Sequence, residues 1–226
     1  MIAILGVLAS ILLPTLSRAR DAGRQVVCLS NLRQGSIACR MYADENDGFA
    51  PAIGVPWERL PFWALVVQEW AGASIDTDNV NEVGDAVDVE LYATDSMLVC
   101  PSVDAAYPER MTRTYAMNAT GHAGFTPRDA PPDPDNFDVE IAHINISLIA
   151  RPSAFPLLVD SAVSFIPDDA PPPTRTSSVI DFRQDDHVTK RLGYFHAGGR
   201  AFDSAMVDGS ARSWGAIELQ WTEPLP

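Results

Sequence analysis

The chain opens Met1-Ile-Ala-Ile-Leu-Gly-Val-Leu-Ala-Ser-Ile-Leu-Leu13 without a charge, meets Pro14, and then carries Arg18, Arg20 and Arg24 in quick succession. An apolar run of this kind has few destinations. Its 13 residues fall short of the ~20 that span a bilayer as a helix. A cleaved signal peptide would need a basic stretch before the run and a small-residue cleavage site after it, and neither is there. A buried core helix is a second destination, but Ile2, Ile4, Leu5, Val7, Leu8, Ile11, Leu12 and Leu13 cover every face. A helix lying on a domain shows one apolar stripe instead. The third destination is the distal part of a membrane helix whose start lies upstream of Met1.

Past Pro14 the pattern turns amphipathic. Cys28, Leu32, Ser36, Cys39 and Ala43 recur every three to four residues, with Leu29 and Tyr42 beside them, while arginines and Asp21 take the other side. This predicts one helix from about Ile2 to about Ala43, kinked near Pro14 and stopped at Asp44-Glu-Asn-Asp-Gly48. At 1.5 Å per residue it would be roughly 60 Å long, too long for a small domain to cover. Its apolar half must find lipid or neighbouring subunits.

Charge follows the same division. Residues 1–43 hold five arginines and one acid, whereas the rest of the 226-residue chain has 29 acids against 11 bases. So acidic a body repels phosphate backbones, which excludes nucleic-acid binding as the main activity. With 46% hydrophobic residues the body can build a core, and its 18 prolines point to long irregular connections.

Residues 2–20, continued by Cys28-Leu-Ser-Asn-Leu-Arg-Gln-Gly35 and Met41-Tyr-Ala-Asp-Glu-Asn-Asp-Gly48, resemble the start of bacterial type II secretion pseudopilin-like proteins. Cys100-Pro-Ser102, Tyr115-Ala-Met-Asn118, Leu157-Leu-Val-Asp-Ser161, Phe195-His-Ala-Gly-Gly199 and Val207-Asp-Gly209 resemble the branch with a carboxy-terminal His-x9-Asp-Gly signature. The resemblance implies a pilin-like fold and a non-catalytic assembly protein, single-pass in the bacterial inner membrane, with its head in the periplasm or outside. Ile4, Leu8, Ile11 and Leu12, with Pro14 at the kink, would then contact lipid and copies of the chain or other pseudopilins. Two departures stand out. The peptidase site Gly-Phe-Thr-Leu-Ile-Glu and the first half of the apolar segment are absent, so a start codon internal to the true gene is expected. In addition, eleven residues rather than nine separate His196 from Asp208, which implies either a two-residue loop insertion or a histidine with another role.

In an envelope compartment a disulfide is expected, and Cys28 on the helix stripe with Cys100 at a strand end is the pair, leaving Cys39 buried and free. Three buried thiols is the plainer reading. Cys28 and Cys39 are eleven positions apart on one helix, too far to bridge.

The body predicts a helix over 62–72, strands at Met97–Cys100, Thr114–Asn118 and Phe155–Asp160, then a hairpin of Gly193–His196 with Ala205–Val207, followed by Ala211–Trp214. The fold class is α+β: one long amino-terminal helix (1–48) packed on a small antiparallel sheet in a head (49–226) with long irregular loops. The acidic loop 74–95 and the turn-rich segment 121–138 support a second reading, a membrane-tethered module that binds a glycan or other ligand without polymerising.

Catalytic signatures such as His-Glu-x-x-His and Gly-x-Ser-x-Gly are missing, and no enzyme activity is expected. His196 near Asp160 or Asp208, and Asp185-Asp186-His187, are the places where a His/carboxylate metal or acid–base cluster would form. The plainer reading of His196 is a side chain that fixes its neighbouring turn, with Gly209 serving the turn after Asp208. No cofactor is expected. Asp44, Asn46 and Asp47 are weak calcium candidates, lacking the distal glutamate of a calcium loop.

Overall fold

The computed structural model describes residues 2–53, 63–72, 96–107, 110–121, 143–163, 173 and 175–226. Helix α1 (Ile2–Glu45) has 44 residues with Pro14 inside it, a rod of roughly 66 Å. Its carboxy-terminal half follows the periodicity: Cys28, Leu32, Ser36, Cys39 and Ala43 are all buried. Towards the amino terminus every side chain described from Ser10 to Arg24 is exposed, and Gln25 is the point where burial begins. The helix stops where Asn46 N–H and Gly48 N–H both donate to the Ala43 carbonyl. That closure needs left-handed backbone, φ 53° at Asp47 and 84° at Gly48. Among the described residues no helix is long and apolar enough to cross a membrane.

Helix α2 (Trp63–Trp70) lies against α1 and buries Trp63 to Gln68. Five strands follow: β1 (Tyr115–Asn118), β2 (Pro156–Asp160), β3 (Val179–Ile180), β4 (Phe202–Met206) and β5 (Ala211–Trp214). They form one sheet in the order β3-β1-β2-β4-β5. Three pairings are antiparallel; the short β3 runs parallel to β1. Helix α3 (Asp185–Lys190) precedes β4. The molecule is thus an α+β fold, a long amino-terminal helix packed on a mostly antiparallel sheet.

Alternation along the strands gives the sheet two covered faces. Tyr115, Met117, Leu158 and Ala205 share a cluster with Leu32 and Cys39 of α1 and Trp63 of α2. Ala116, Val159, Phe202 and Met206 face away from them into a second cluster with Phe182 and Trp221. Trp221 is completely buried, touching Phe182, Phe202 and Trp214.

Two expected strands are corrected. Met97–Cys100 is turn: Thr114 N–H bonds Leu98 O and Asn31 Nδ2 bonds Val99 O, then Pro101 starts a 3-10 turn. Gly193–His196 forms no strand arm, because the chain reverses at once through Ala197, Gly198 and Gly199, with φ of 50°, 70° and 80°. The hairpin is β4–β5, turned at Asp208-Gly209. The acidic loop 74–95 and residues 122–138 lie outside the described residues.

Candidate functional site

One row of side chains crosses the sheet on its helix-facing side. Tyr115 pairs with Asp160 across β1–β2, Asp203 pairs with Ser213 across β4–β5, and the β2–β4 register, Val159 opposite Ser204, brings Asp160 beside Asp203. Strand alternation dictates this. If Val159 and Phe202 point into the far cluster, Asp160 and Asp203 must point towards α1. Both acids are fully buried.

Above the row sits His196. Its Nε2 lies 3.0 Å from Asp160 Oδ2 and 3.2 Å from Asp203 Oδ2. Asp203 N–H donates to Asp160 Oδ2 at 2.7 Å. Ser213 Oγ donates to Asp203 Oδ1, and Gln25 Nε2 of α1 donates to Ser213 Oγ at 2.5 Å. The same ring nitrogen stands 3.6 Å from Cys100 Sγ, which is joined to Cys28 in a disulfide. Cys39 is free and buried, and burial pushes its thiol up to about 12.

The electrostatics follow from burial. Desolvation pushes Asp160 up to about 6, opposed by its hydrogen bond to His196. Burial likewise raises Asp203. At His196 burial disfavours the charge, but the bond to Asp160 and the field of both carboxylates win, and its pKa lies above the ordinary value. Tyr115 is held well above the phenol range by burial and by Asp160. Such a cluster can hold a proton or a cation.

The sequence-predicted residues divide. His196 meets Asp160, but its second carboxylate is Asp203, not Asp208. The turn at 197–201 is fixed by the backbone of His196, whose carbonyl accepts from Gly199, Arg200 and Ala201, rather than by its ring. Asp208 instead closes its own turn: Oδ1 accepts from Ser210 N–H and Oγ at 2.9 and 2.7 Å, and Gly209 has φ 85°. His187 stands apart, its Nδ1 accepting from Asp181 N–H at 2.9 Å. Asp44 and Asp47 are exposed at the end of α1, Asn46 donates to Tyr42 O, and among the described residues neither aspartate belongs to a converging His, Cys or carboxylate group. Leu12 is 63% exposed beside Pro14; Ile4, Leu8 and Ile11 lie in the same half of α1. Asp203 is the site residue that the sequence motifs do not single out, although an acid inside Phe-Asp-Ser-Ala-Met is a visible break in a buried strand.

No protein-family model, no curated protein and no solved structure matches the chain.

Proposed function

We propose that this chain is a non-catalytic, pseudopilin-like envelope protein that acts in a type II secretion or pilus-like assembly. The observation that carries the reading is the split of α1. Leu12, Leu13 and Leu16 are 63%, 68% and 52% exposed, while residues of the same helix from Cys28 onward are locked into the head. An exposed apolar rod on a well-packed head costs free energy in water at roughly 25 cal/mol per Å² of apolar area, and lipid or a second helix removes that cost. Arg18, Arg20 and Arg24 follow the apolar stretch and suit lipid phosphates or the acidic head of a neighbouring copy. Asp160, Asp203 and His196 are all buried, which favours a structural over a catalytic use of the cluster.

Cysteine cross-linking tests the proposal. With the chain in lipid vesicles, Leu12→Cys and Leu16→Cys variants should form intermolecular disulfides, whereas Leu219→Cys, on a fully accessible site of the head, should not. Cross-linking at Leu12 and Leu16 no greater than at Leu219 would contradict it.

A further inference from the structure

The inner row holds two carboxylates against one imidazole. The ionisable side chains that converge here are Asp160, His196 and Asp203, with the imidazole nitrogen 3.0 and 3.2 Å from the two acids. With both acids ionised, even a protonated His196 leaves one negative charge uncompensated in a site sealed from water. Buried charge of that kind is normally paired or bound to metal. Two oxygens make the imbalance concrete: Asp160 Oδ1 is inaccessible and receives no hydrogen bond, and Asp203 Oδ2, equally inaccessible, faces the His196 ring nitrogen at 3.2 Å without a well-formed hydrogen bond.

We propose that Asp160, His196 and Asp203 form a structural binding site for one divalent transition-metal ion of the zinc type, inside the head and beside the Cys28–Cys100 disulfide. Asp160 Oδ2, His196 Nε2 and Asp203 Oδ2 lie within 4.8 Å of one another. Ligands about 2.0–2.1 Å from a common ion at tetrahedral angles stand about 3.3 Å apart. The imidazole nitrogen is 3.0 and 3.2 Å from the two oxygens, each within a few tenths of an ångström of that spacing. A dication on two carboxylates and a neutral imidazole leaves zero net charge, which neither protonation state of the histidine achieves without protonating an acid. Binding releases whatever proton Nε2 carries.

The surroundings already orient the ligands. Asp203 is fixed through its other oxygen by Ser213, itself held by Gln25, and Asp160 is fixed by the Asp203 amide. Outer contacts of this kind hold metal ligands in place. Donor type selects the metal: calcium takes six to eight oxygens, whereas this site offers one nitrogen and few oxygens in a dry interior.

The test uses the full chain with its disulfide intact, unfolded in denaturant and refolded in zinc or in chelator, so that a sealed site can load. Protein refolded in zinc and desalted should retain about one zinc per chain and melt higher than the chelator sample. Cobalt refolded in its place should give the visible absorption of a low-symmetry N/O site without thiolate charge-transfer bands. Asp203→Asn, nearly isosteric, should fold but lose the bound zinc, while Asp208→Asn should keep it. Retention below roughly a tenth of an equivalent, equal melting in zinc and chelator, or full zinc in Asp203→Asn each overturns the proposal. Uptake only after reduction also overturns it, because the ligands would then be the Cys28 and Cys100 sulfurs with His196, which form the other converging group.

Discussion

The two halves of α1 are one continuous helix, yet they have opposite fates. From Cys28 to Ala43 the apolar positions recur every three to four residues, and Cys28, Leu32, Cys39 and Ala43 are buried in the cluster they share with the sheet and α2. From Ser10 to Arg24 the described side chains point into solvent. Their spacing separates them. A stripe can be covered by one sheet face, whereas a rod that is apolar all round can be covered only by something that surrounds it. The head therefore rests on the second half, and the described side chains of the first half stand uncovered; under the function proposed above, lipid or other helices would cover them.

The largest effect expected on the packed half comes from the disulfide that ties it to the head. Cys28→Ser with Cys100→Ser opens a loop spanning 72 residues and should lower unfolding free energy by about 4 kcal/mol in denaturant titration. A loss below about 1 kcal/mol would mean that the helix is anchored by packing alone. Next, Leu32→Ala should cost about 3 kcal/mol, since Leu32 is fully buried and its cavity cannot collapse against a sheet. Leu13→Ala, in the exposed half, should change head stability by less than about 0.5 kcal/mol. Equal costs at the two positions would erase the contrast.

Acid should weaken the head independently of α1. Burial, aided by the charge of Arg191, pushes His187 down to about 4, and its Nδ1 must stay unprotonated to accept from Asp181. A histidine with a lowered folded pKa stabilises the fold above its unfolded pKa of about 6.5, and that contribution drains away as pH falls towards 4. The loss should be on the order of 2 kcal/mol and absent in His187→Gln. A smaller loss, about 1 kcal/mol, should follow Asp208→Ala, which removes the two bonds to Ser210 at an exposed turn.

Local rules made part of this legible in the sequence. The helix stripe was readable because a 3.6-residue period needs no knowledge of the partner, and Pro156–Asp160 because an apolar run beside a turn can hardly be anything but a core strand. The stop after Ala43 was readable because Gly48 supplies the required φ. Strand β3 was not, since two residues carry no period and exist as a strand only because β1 offers its free edge. The inner acid row was half readable: His196 and Asp160 stand out as polar residues near apolar runs, but the Asp203 partnership comes from the β2–β4 register, which lies in long-range pairing rather than in any local motif. The spacing of His196 and Asp208 misled for the same reason. Both sit at turns, but only the backbone of one and the side chain of the other serve those turns.

The division of α1 is tested most directly by vesicle flotation of the full chain beside a Leu12→Ser, Leu13→Ser, Leu16→Ser variant, with thermal melting of both heads. The parent chain should float with the vesicles or sediment as oligomers without them, and the variant should remain a monomer in solution with an unchanged melting midpoint. A variant that still floats and associates like the parent, or one whose head melts several degrees lower, would contradict the claim that this half of the helix serves partners rather than the fold.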